Sequence, residues 1–283
     1  MTRKTRRQVL AALGATTAVG IAGCSSGDGD ETTEPEDESG DGDDSDSGMT
    51  PTDEMGGMTD TDGMAGMTDT DGGMSDTEMA SVRVAHMSPD APNVDVYVDG
   101  ETVLSDVTYT TVSDYLALPT GDHTVTITAA GDPDTVPFEG EVTLEAAGYT
   151  IAAVGELTSE DTEFRPLVLE DDNSDPGGNM ARLRVVHASP DAPAVDVTAA
   201  GGDVVLFDGV PFGESGYATV EANDYTVEIR GDTESNDGDV VADYDVSLNG
   251  GTVYTAFARG YLSPDDDPAD EEFSLQVVQD ASY

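Results

Sequence analysis

Two stretches of the chain carry the same chemically capable side chains in the same order. His86, Ser88, Asp90 and Asp95 stand in Val84-Ala-His-Met-Ser-Pro-Asp-Ala-Pro92 and the Val94-Asp-Val96 that follows. His187, Ser189, Asp191 and Asp196 stand in Val185-Val-His-Ala-Ser-Pro-Asp-Ala-Pro193 and in Val195-Asp-Val197. An imidazole with nearby carboxylates has the residue types of a metal or proton-transfer site. The competing reading is structural. In it a buried neutral imidazole bonds loop backbone, and Asp90 or Asp191 accepts backbone N–H groups. Pro89 with Pro92, and Pro190 with Pro193, stiffen the turn. Strand alternation favours the structural reading. It sets each histidine on the face of its valines and Asp95 or Asp196 on the other, and no third nitrogen or sulfur ligand lies near.

A second candidate precedes these motifs. Methionines 49, 55, 58, 64, 67, 74 and 79 crowd a short polar stretch. The pairs Met55 with Met58, and Met64 with Met67, have the spacing of thioether sites for copper(I). The interleaved aspartates lack the later bidentate glutamate of a calcium loop. A polar spacer in which methionine is incidental is the preferred reading of the stretch. No resident cofactor is expected. Catalysis has little support: the folded part has no cysteine, no nucleophile elbow, no phosphate loop and no zinc-protease helix. Paired carboxylates of a carbohydrate hydrolase remain a distant alternative among 60 acids.

The elements that hold the motifs read as strands. Val82, Val84 and His86 alternate with Arg83 and Ala85, and Val94, Val96 and Val98 alternate with Asp95, Tyr97 and Asp99. Asp99-Gly100 between two such runs marks a hairpin. About eight short strands per copy predict an all-β fold: two tandem antiparallel β-sandwich, immunoglobulin-like domains. Arg83 and Arg184 alternate to the outward face, as do Asp95 and Asp196. Each arginine is therefore expected to meet its aspartate across the sheet as an exposed pair that sets register.

His-x-Ser-Pro-Asp-Ala-Pro followed by Val-Asp-Val resembles the signature of the domain of unknown function 4397 family, here in two copies. The resemblance implies a β-sandwich in a cell-surface setting. It implies no activity and no functional residues.

The amino-terminal segment implies where the chain works. Thr5-Arg6-Arg7-Gln8-Val9-Leu10 resembles a twin-arginine export motif, with Val9 where phenylalanine is usual. The apolar run to Ala22 is too short to span a bilayer, which takes about 20 residues. Ile21-Ala-Gly-Cys24 resembles a lipoprotein cleavage box, so Cys24, the only cysteine, is the expected lipidation site. Loss of residues 1–23 removes Arg3, Lys4, Arg6 and Arg7 and no acid, taking the formal net charge from −50 to −54. Such a chain suits molar salt, where the screening length is about 3 Å, and the pattern is of haloarchaeal type. It excludes nucleic acid as a partner, for want of a basic patch.

The expected organisation is a signal peptide at 1–23, a disordered acidic stalk at 24–80, one repeat at 81–171, a linker at 172–180 and a second repeat at 181–283. The expected partners are a membrane through the lipid on Cys24 and a cell-surface protein or glycan. The expected state is a monomer on the outer face of the cell membrane. The expected role is a non-catalytic module for envelope interaction or ligand binding, with metal capture by the stalk as the alternative.

Overall fold

The computed structural model describes residues 78–159 and 162–283. The twin-arginine motif, Cys24 and the paired methionines lie outside them. The described residues contain no α-helix.

Each copy contributes eight strands, in the same order. The first has β1 (Met79–His86), β2 (Val94–Val98), β3 (Glu101–Val107), β4 (Leu116–Pro119), β5 (Gly121–Ala129), β6 (Phe138–Leu144), β7 (Gly148–Val154) and β8 (Arg165–Asp171). The second has β9 (Met180–His187), β10 (Val195–Ala199), β11 (Val204–Val210), β12 (Ser215–Glu221), β13 (Asn223–Gly231), β14 (Val240–Leu248), β15 (Thr252–Arg259) and β16 (Ser274–Ser282). β1 and β9 thus begin slightly before the sequence boundaries at 81 and 181.

In the first copy, sheet β4-β1-β7-β8 packs on sheet β3-β2-β5-β6; in the second, β12-β9-β15-β16 packs on β11-β10-β13-β14. Two sandwiches result, as expected. They carry one feature the sequence did not indicate: β1 runs parallel to β7, and β9 parallel to β15, within otherwise antiparallel sheets. The hairpin at Asp99-Gly100 forms, with both residues at positive φ (53° and 81°), the conformation that Asp-Gly adopts readily.

Alternation explains the cores. Val82, Val84, Val94, Val96, Val125, Ile127 and Ile151 fill the first sandwich. Leu183, Val185, Val195, Val197, Val227, Ile229 and Tyr254 fill the second. A third apolar cluster lies on the opposite faces of the inner sheets: Ala85, Met87, Ala152 and Val154 pack against Val186, Ala188 and Phe257. The inner sheets of the two sandwiches therefore stack on each other, and both copies belong to one compact unit. The described residues thus form a stack of four sheets. The inner strands read as near-continuous apolar runs because both of their faces are covered.

Candidate functional site

The four-layer stack overturns the expected Arg–Asp pairs. Arg83 and Arg184 do alternate away from their own cores, but that face is covered by the other repeat, and they are 3% and 0% exposed. Arg83 Nη2 meets Asp280 of β16 at 2.7 Å, and Arg184 Nη1 meets Asp171 of β8 at 2.8 Å. Each arginine thus pairs with a carboxylate of the opposite repeat. Arg83 Nε donates to Thr150 and its Nη2 to Thr255; Arg184 Nε donates to Thr255 and its Nη2 to Thr150. Thr150 donates in turn to Asp171, and Thr255 to Asp280. The Tyr115 ring lies 5.1 Å from the Arg83 guanidinium, and the Tyr217 ring 5.3 Å from that of Arg184. Tyr115 also donates to Asp171 at 2.6 Å, and burial together with that carboxylate pushes its hydroxyl up to about 12. Burial likewise raises Asp280, against the pull of Arg83.

Asp95 and Asp196, the expected partners, are occupied elsewhere. Asp95 accepts the backbone N–H groups of Asp106 and Gly131, and Asp196 accepts those of Gly209 and Thr233. Each carboxylate thus ties the irregular part of the neighbouring strand, β3 or β11, and the loop after β5 or β13 to its own strand.

The repeated motif forms the end of each inner sheet. His86 is fully buried, and its Nε2 lies 3.0 Å from the Pro92 carbonyl. The ring meets Tyr109 edge-on, and desolvation lowers its pKa. With Nε2 carrying the proton that this carbonyl accepts, Nδ1 is an acceptor without a donor. His187 is equally buried and meets Phe212 edge-on, but neither of its ring nitrogens has a hydrogen-bond partner. The loop bond expected for both histidines therefore forms only in the first copy. Burial takes His187 down to about 4, so the ring is neutral at ordinary pH.

Ser88 and Asp90 brace the loop after β7. Ser88 Oγ donates to Gly155 O at 2.6 Å, and Asp90 accepts from the N–H groups of Leu157 and Thr158 and from the Thr158 hydroxyl. Ser189 donates to Gly260 O at 2.5 Å, and Asp191 accepts from Leu262 and Ser263 N–H. Gly155 (φ 86°) and Gly260 (φ 80°) are required here. A Cβ on either would stand 2.3 Å from the carbonyl oxygen of Glu163 or Glu272. Next to these glycines, Tyr261 donates to Glu156 at 3.0 Å. The two residues hold equivalent places in the two copies, so both motif loops converge on one end of the molecule. Burial and the Glu156 carboxylate raise the Tyr261 hydroxyl. His86, Asp90 and Asp95, grouped above as a candidate metal set, each serve a different backbone segment; in the second copy Asp191 and Asp196 do the same, and His187 bonds none.

Two other features are candidates for ligands. Asp196, Asp208 and Asp232 bring one carboxylate oxygen each to within 4.8 Å of one another, an all-oxygen set of the kind that suits Ca²⁺. Sequence spacing did not indicate this trio, since loops and strand pairing assemble it, and the first copy has Ser105 where the second has Asp208. An enclosed apolar cavity lies inside the first sandwich, among Val84, His86, Val96, His123, Val125 and Ile151. His123 closes one side, with Nδ1 2.7 Å from Asp99 and Nε2 2.7 Å from the Pro119 carbonyl. The second sandwich has Phe207, Tyr225 and Tyr244 where strand register places Leu104, His123 and Gly140 in the first.

No functionally curated protein matches the chain. Similar solved structures include a carbohydrate-binding module of Eubacterium rectale in complex with maltoheptaose, at 10% identity over 72% of this chain and 97% of that one, with a TM-score of 0.23. Another is a putative cell adhesion protein of Bacteroides fragilis, at 9% identity over 72% and 98%, with a TM-score of 0.19. At such scores neither bears on what this chain binds. The family model described as "Domain of unknown function (DUF4397)" matches twice, over residues 80–198 and 183–282. These matches take in both sandwiches and well over half of the chain, which belongs to that family as a tandem of two copies.

Proposed function

We propose that this is a lipid-anchored surface protein, exported by the twin-arginine route and tethered through Cys24. Its fused β-sandwiches form a rigid, non-catalytic head for contact with envelope glycans or proteins in high salt. One observation carries the reading. The serine and aspartates of the repeated motif are spent on bracing backbone, with the same partners in both copies. A reactive site keeps at least one such group facing a substrate. Here the residues that recur are those that hold the shape of the loops, which leaves the loop surfaces as the working part.

The test is retention of envelope components on the immobilised protein in molar salt. The expected outcome is capture of a glycan or surface protein without turnover. Hydrolysis of an envelope polysaccharide by the purified protein, lost on substitution of a surface carboxylate, would replace this reading with an enzymatic one.

A further inference from the structure

We infer that the inner face of the first repeat is a recognition surface for the inner face of the second, and that it accepts this partner from a second copy of the chain as well as from its own. The polar centre is reciprocal: arginine, threonine and aspartate recur at equivalent strand positions, and each arginine crosses to the other repeat's aspartate. That is the arrangement of a two-fold interface between subunits, built here within one chain. The apolar surround is not self-matching. Ala85 and Ala152 stand in the first repeat where strand pairing places Val186 and Phe257 in the second. Small residues thus meet large ones only when unlike repeats pair. Like pairing leaves space on one side and crowds Phe257 on the other.

Two more contacts tie the unlike faces, and a bond within the second repeat holds both of its side chains in place. Arg259 stacks over Tyr109 with its guanidinium 5.4 Å from the ring, Gln276 donates to the Thr110 carbonyl, and Arg259 Nε holds the Gln276 amide oxygen. Exchange of repeats between two chains preserves all of these bonds. It changes only the connection through residues 172–179, which sets the effective concentration of the partner face. A single chain at low concentration therefore pairs with itself, and crowded chains have an exchanged dimer open to them.

Charge reversal in two full chains separates the partners. Arg83→Asp in one chain faces Asp280 with a like charge, and Asp280→Arg in another faces Arg83 with a like charge. Refolded together at 1:1 in molar salt, the two chains are expected to give a heterodimer by light scattering, since each bad face finds its complement in the other chain. Arg83→Asp and Asp280→Arg combined in one chain are expected to return a monomer that melts well above either single variant. The double variant keeps the test decisive if a single variant alone does not fold. A mixture that stays monomeric or aggregates, or a double variant no more stable than the singles, would overturn the inference.

Discussion

Burial holds His187 neutral and takes its pKa down to about 4 from an ordinary 6.5. In the unfolded chain the ring binds a proton more readily, so its contribution to stability is whole above pH 6.5 and is lost as pH falls towards 4. The loss amounts to about 3 kcal/mol for a shift of that size. Replacing His187 with phenylalanine is expected to flatten the fall in melting temperature between pH 6.5 and 4, measured by thermal unfolding in molar salt. An unchanged pH profile would mean that the ring already carries a proton in the folded state. His123 behaves oppositely: its bond to Asp99 raises its pKa, so the stability it adds is present at low pH and fades as pH rises through that value. At this scale the sequence was legible where alternation decides the face, as for His86 and His187. It misled at Arg83 and Arg184, because alternation states which face a residue takes and not whether a second body covers that face. The signal was there in Ile151-Ala-Ala-Val154 and Val253-Tyr-Thr-Ala-Phe257, which have no polar side except for threonine.

The strand ends depend on their glycines. Gly155 and Gly260 turn the chain out of β7 and β15 at positive φ, and their carbonyls receive the Ser88 and Ser189 hydroxyls. Gly155→Ala is expected to cost about 2 kcal/mol or more, from left-handed strain and from collision with the Glu163 carbonyl. Denaturant unfolding measures it, and Gly131→Ala is the control: it also has positive φ, but its Cβ would meet nothing. Equal losses at the two positions would show that strain alone sets the cost. The strands were largely readable from period and turn residues, and so was the Asp99-Gly100 hairpin. The parallel pairs β1 with β7 and β9 with β15 were not. Both join segments far apart in sequence, and no local pattern encodes that partnership.

The whole molecule combines a strongly acidic surface with a buried, charge-paired centre. With 60 acids against 10 basic residues, the chain repels itself at low ionic strength, and molar salt removes most of that repulsion. The circular dichroism of the folded part is expected to lose its strand signal between molar and millimolar salt. A constant spectrum would mean that packing alone outweighs the repulsion. The Arg83–Asp280 and Arg184–Asp171 pairs are buried, so salt screens them much less than it screens the surface charges.

The polar centre also constrains the order of events in biosynthesis. Arg83 lies near the beginning of the described segment and Asp280 near its end, so the guanidinium waits unpaired until almost all of that segment has left the ribosome. Docking of the two inner sheets is therefore a late event, which follows completion of β16.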